Sequence, residues 1–156
     1  MYREILVTLD LSELAELALP HARELARAFG SSIILLSVVQ AMTVQPEPGT
    51  VGPVISICLD IEEESERVKS YLGDIADQMR KEDLQVQVEV REGDPASEIC
   101  DYAESHPIDI IVMTTHSRSG IQRWVYGSVA DKVLRHASVP VLLVRAPMIL
   151  RADVVS

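Results

Sequence analysis

Four short runs of apolar residues, ILVTL (5–9), SIILLSVV (32–39), IDIIVM (108–113) and VPVLLV (139–144), are rich in isoleucine and valine and do not alternate with polar residues. Runs of that kind suit parallel strands covered on both faces. A fifth, LQVQVEVRE (84–92), places Val86, Val88 and Val90 on one side and Gln85, Gln87 and Glu89 on the other, the pattern of an edge strand with one wet face. Between the strands, apolar residues recur at helical spacing: Leu14 to Phe29, Ile61 to Met79, Ile99 with Ala103, and Val129 with Val133 and Leu134. The order predicted is βαβαβαβαβ, a doubly wound α/β sheet with helices on both faces.

Local signals refine these elements. Asp94 before Pro95 predicts a helix start, because the carboxylate can accept free N–H groups and proline fits the first turn. Pro20 falls inside the first helical pattern and predicts a kink. Residues 40–55 carry three prolines and two glycines, and so long a loop in a compact domain predicts a lid or a mobile segment.

At 156 residues the chain suits a single domain, placed at 1–147 with a tail at 148–156. A net charge of −10 argues against a nucleic-acid partner, since phosphate binding needs clustered Lys and Arg. No apolar run is long enough to span a membrane, and the N-terminus lacks an export signal. Cys58 and Cys100 show no metal-ligand spacing and read as buried thiols, so a cytoplasmic location is expected.

Ligands of doubly wound sheets sit at the carboxyl ends of the strands where strand order reverses. After the first strand come Thr8, Asp10 and Ser12. Ser12 reads as a helix cap, and Asp10 either as a second cap or as a carboxylate for ribose hydroxyls. After the fourth strand, Gly127-Ser128-Val129 should open the last helix, whose free N–H groups and positive dipole end suit an anion. Ser128 could cap that helix and also donate to a phosphate. Arg118, Arg123 and His116 make the preceding loop locally basic. Trp124 reads as packing over that loop or against a partner. No GxSxG elbow, Walker lysine or metal-ligand cluster is present, so neither catalysis nor a metal site is expected.

This strand order, the Gly93-Asp94-Pro95 turn and the run GSVADKVLRHASVPVLLVR resemble the universal stress protein family over essentially the whole chain. The resemblance implies a five-stranded parallel sheet of order 3-2-1-4-5, usually in a homodimer. In one branch it also implies ATP, with magnesium, held by a motif G-x2-G-x9-G-[ST]. The branch without the motif binds no ATP. Here the final Gly127-Ser128 matches, while Thr114 and Ser117 stand where the first two glycines would be. A glycine there could serve a left-handed backbone, which a β-branched threonine resists. By the same resemblance Asp10 lies near ribose, Val38 near adenine, and Met113, Ser128 and Val129 near base and phosphates.

The expectation is therefore a regulatory or protective dimer that binds an adenine nucleotide, with a protein partner the sequence does not name. The alternative is a dimeric interaction module with a vestigial cleft and no cofactor. The apolar last strand, residues 139–145, is the expected dimer contact, because an unpaired edge of that kind invites a second chain.

Overall fold

The computed structural model describes residues 1–40, 61–115 and 127–145. The expectations for the 40–55 lid, for His116, Ser117, Arg118, Arg123 and Trp124, for Cys58 and for the 148–156 tail fall mainly or wholly outside them. Five strands, β1 (Glu4–Thr8), β2 (Ser32–Val39), β3 (Gln85–Glu92), β4 (Ile110–Thr114) and β5 (Val141–Val144), form one parallel sheet ordered β3-β2-β1-β4-β5. Helices α1 (Ala18–Phe29), α2 (Ile61–Arg80), α3 (Pro95–Ser105) and α4 (Ser128–His136) connect them. The doubly wound fold and its strand order are as the sequence implies.

The non-alternating strands are explained by two cores. Ile5, Val7, Ile33, Leu35 and Val112 pack with α1 and α2, while their chain neighbours Leu6, Ile34, Leu36, Ile111 and Met113 pack with α3 and α4. Burying each such side chain contributes about 1.5–3 kcal/mol, so both sheet faces must be covered. Only the valines of β3 join a core, the one beneath α2. Gln85 and Gln87 face solvent, which is why that strand alternates.

Asp94 caps α3, its Oδ2 accepting the Ser97 N–H at 3.1 Å, with Pro95 as the first helical residue. Gly93 before it has φ 139°, and a Cβ there would lie 3.1 Å from Glu98 Oε1, so the turn needs glycine. The expected kink at Pro20 is corrected. A 3₁₀ turn at Ala15–Leu17 precedes α1, which leaves Pro20 as the third residue of α1, in the first turn where a missing N–H costs little.

At the amino end of the sheet, Asp109 Oδ2 accepts the Arg3 and Glu4 N–H groups at 2.6 and 3.1 Å and so ties the start of β1 to that of β4. Those two bonds hold the Asp109 carboxyl below the usual aspartate range. A depressed carboxyl contributes stability that is present above the unfolded aspartate pKa and is lost as pH falls through the folded value. Asp109→Asn should therefore lower the urea midpoint at neutral pH, and the deficit should shrink as the pH falls below the ordinary aspartate range. A deficit that does not change with pH would contradict this account.

Candidate functional site

Strand order reverses at β1, whose neighbours are β2 and β4, and a cleft of about 520 Å³ opens there at the carboxyl edge. That volume lies within the range of small-molecule sites. Of the residues singled out in the sequence, Thr8, Asp10, Val38, Met113, Thr114, Gly127, Ser128 and Val129 all line it. Residues that are 121 positions apart in the chain thus face one space. Ser117 and Arg118 lie outside the described residues.

Each wall has a local cause. On the β1 side the chain leaves the sheet after Leu9, whose N–H donates to Leu36 C=O at 2.9 Å, and exposes the Asp10 side chain. Ser12 does not cap α1, whose cap position is Leu17 with no side-chain bond; its Oγ instead accepts the Ala15 N–H at 3.1 Å, where the 3₁₀ turn begins. On the β4 side, Thr115 N–H donates to Val144 C=O at 3.0 Å and Gly127 N–H donates to Thr115 C=O at 2.7 Å, which pins the start of α4 to the strand end.

Two expectations change here. The residue that caps α4 is Gly127, with no side-chain hydrogen bond, and Ser128 is the first helical residue rather than the cap. The first α-helical bond is Asp131 N–H to Gly127 C=O at 3.0 Å. The N–H groups of Ser128, Val129 and Ala130 therefore have no carbonyl within the helix. The second change concerns Thr114. It is the last residue of β4, in register with Val144, and among the described residues only Leu11 and Asp83 are non-glycines with positive φ. Thr114 thus bears no left-handed backbone, and what distinguishes it from glycine is the side chain it adds to the cleft wall.

Among the described lining residues the charged ones are Asp10 and Glu64, both acidic. Any attraction for an anion from these residues comes from the open helix end of α4 rather than from a side-chain cation. The sequence reading missed Ser37, a 3 % exposed polar residue inside β2, and Thr115, 6 % exposed. The serine that interrupts the apolar residues of SIILLSVV was the available signal for the first. Glu64 and Val68 were also missed, because only long-range packing of α2 brings them to the cleft. Ser105 Oγ lies 3.0 Å from His106 Nδ1, but it also donates to Asp101 C=O at 2.7 Å at the end of α3, away from the cleft. No helix among the described residues is long and apolar enough to cross a membrane, and no three of them form a metal-ligand group.

The fold and cleft define a doubly wound α/β protein with a ligand-sized site at its switch point. The profile of the universal stress protein family matches residues 1–145, and the chain belongs to that family. It is 30% identical to Universal stress protein MJ0531 of Methanocaldococcus jannaschii over 94% of this chain and 84% of that one. It is 29% identical to Universal stress protein MJ0577 of the same organism, over 93% of this chain and 96% of that one. The solved structure of MJ0577 superposes with a TM-score of 0.79, covering 94% of this chain and 97% of that one. A universal stress protein solved in complex with cAMP, and one from Archaeoglobus fulgidus in complex with dAMP, share the fold at 19% and 23% identity. Their TM-scores are 0.65 and 0.63, with 92% and 91% of this chain covered and 97% of each of theirs.

Proposed function

We propose that this protein is a cytoplasmic, non-catalytic regulatory dimer whose cleft binds an adenine nucleotide, ATP with magnesium. The observation that carries the reading is the pairing of the Asp10 carboxylate with the open amino end of α4 across one cleft of about 520 Å³. A carboxylate accepts hydrogen bonds from ribose hydroxyls, and unbonded helix N–H groups donate to phosphate oxygens. Thr8, Val38, Met113, Val129 and Thr114 supply walls for the base and sugar, and Ser128 supplies both an N–H and a hydroxyl at the phosphate end. Ser117 and Arg118 complete the phosphate loop in this reading. In this reading none of the described lining residues acts as a general base, and the nucleotide is held rather than hydrolysed. The two relatives solved with cAMP and dAMP resemble this chain in fold, and the proposal stands on the cleft itself.

Thr114 favours a second reading, an interaction module with a vestigial cleft, because its side chain takes space that glycine would leave free. Thermal unfolding separates the two. ATP at a hundredfold excess over its Kd stabilises by about 2.7 kcal/mol, which for a domain of this size raises Tm by roughly 5–10 °C. An unchanged Tm at millimolar ATP would favour the vestigial cleft.

The dimer is proposed on the asymmetry of the two sheet edges. On β3 the Val86 C=O points away from β2, and Arg80 Nε and Nη2 both donate to it, at 3.1 and 2.7 Å. That edge is partly closed by its own helix. On β5, Val141, Leu142 and Leu143 are each only half-buried although all are apolar, as expected of an edge that awaits a second copy. Two β5 strands meeting about a two-fold axis would pair antiparallel and continue the sheet.

A further inference from the structure

We infer that Ser12, which is not among the described residues lining the cleft, fixes the Asp10 carboxylate in its ligand-binding position. The inference rests on the nucleotide reading above. Asp10 Oδ1 accepts the Ser12 N–H at 3.0 Å and also accepts the Ser12 hydroxyl. The same hydroxyl oxygen accepts the Ala15 N–H at 3.1 Å. A serine hydroxyl has one proton, so accepting from Ala15 aims that proton at Asp10. Oδ1 is thereby occupied by two donors. Oδ2 accepts no hydrogen bond from a described residue and is the oxygen left for the ligand.

The backbone supports the same arrangement. Leu11, between the two residues, has φ 65°, a left-handed conformation unfavourable for a non-glycine residue. Its side chain packs against the core beneath α1 and α2 and also lines the cleft, so burial holds the turn in place. An exposed aspartate without these restraints would lose rotamer freedom on meeting a ligand, whereas here that freedom is already lost in the free protein. Ser12 is thus a positioning residue acting through Asp10, in addition to accepting the Ala15 N–H at the start of the 3₁₀ turn.

A cap alone would alter stability without regard to which hydroxyls a ligand carries. The test titrates ATP and 2′,3′-dideoxy-ATP into the wild type, Ser12→Ala, Ser12→Thr, Asp10→Ala and the Asp10→Ala/Ser12→Ala double variant. Ser12→Ala should weaken ATP roughly three- to tenfold, the worth of one hydrogen bond, and leave the dideoxy compound unchanged. Ser12→Thr, which keeps the hydroxyl, should bind like the wild type, and the double variant should bind like Asp10→Ala. If Asp10→Ala abolishes the preference for ATP while Ser12→Ala keeps it, or if Ser12→Ala weakens both ligands equally, the positioning role is wrong and the ribose assignment stands. If the wild type shows no preference for ATP over the dideoxy compound, the assignment of Asp10 to ribose fails and the inference fails with it.

Discussion

Replacing Leu143 with proline is expected to turn a dimer into a folded monomer, whereas proline at Leu142 is expected to damage the fold. The difference follows from the peptide directions in β5. The Pro140 and Val144 carbonyls accept the Ile111 and Thr115 N–H groups at 2.9 and 3.0 Å. Peptide direction alternates along a strand, so Pro140, Leu142 and Val144 face β4, and Val141 and Leu143 face outward. Proline at 143 removes a donor that only a partner strand could use, once in each copy of a symmetric pair. At about 1.5 kcal/mol each, the two lost bonds weaken association on the order of a hundredfold. Proline at 142 removes a donor to β4 within the chain, which a sheet tolerates poorly. Sedimentation at micromolar concentration, with circular dichroism alongside, reads both outcomes. A wild type that sediments as a monomer would remove the dimer from the proposal.

The second large effect is on the ligand. Asp10→Ala should weaken ATP binding roughly ten- to a hundredfold, the range for a lost hydrogen bond to a charged group. The Asp10 side chain is exposed, and its described hydrogen bonds are local ones from Ser12. The free variant should therefore unfold within a few degrees of the wild type, roughly the scale of one surface hydrogen bond. Heavy loss of stability with unchanged affinity would make Asp10 a structural residue of the turn and not a ligand contact.

The sheet was legible in the sequence because burial leaves a direct pattern. Strands buried on both faces must be apolar at every position, as in Ile33 to Leu36, and the one-sided β3 must alternate. Ends were less legible, because they depend on hydrogen bonds made elsewhere. Where α1 begins is set by the Asp10–Ser12 turn and its 3₁₀ continuation, which moves Pro20 from a helix interior to a first turn. Glycine and serine at 127 and 128 are both acceptable caps, and only the bond from Asp131 N–H to Gly127 C=O decides between them. The conformation of Thr114 is fixed by its register with Val144, which no local signal reports. The β1 and β4 contributions to the cleft were readable as strand ends. The α2 contribution, Glu64 and Val68, was not, since it depends on how a distant helix packs.

Calorimetric titration of the nucleotide-free protein with ATP and magnesium tests the central claim most directly. Saturable binding at one site per chain, weakened by Asp10→Ala and without release of ADP over the titration, is the predicted result. Absence of binding up to millimolar ATP, by a wild type that is folded and otherwise intact, would contradict it and leave the cleft without a nucleotide role.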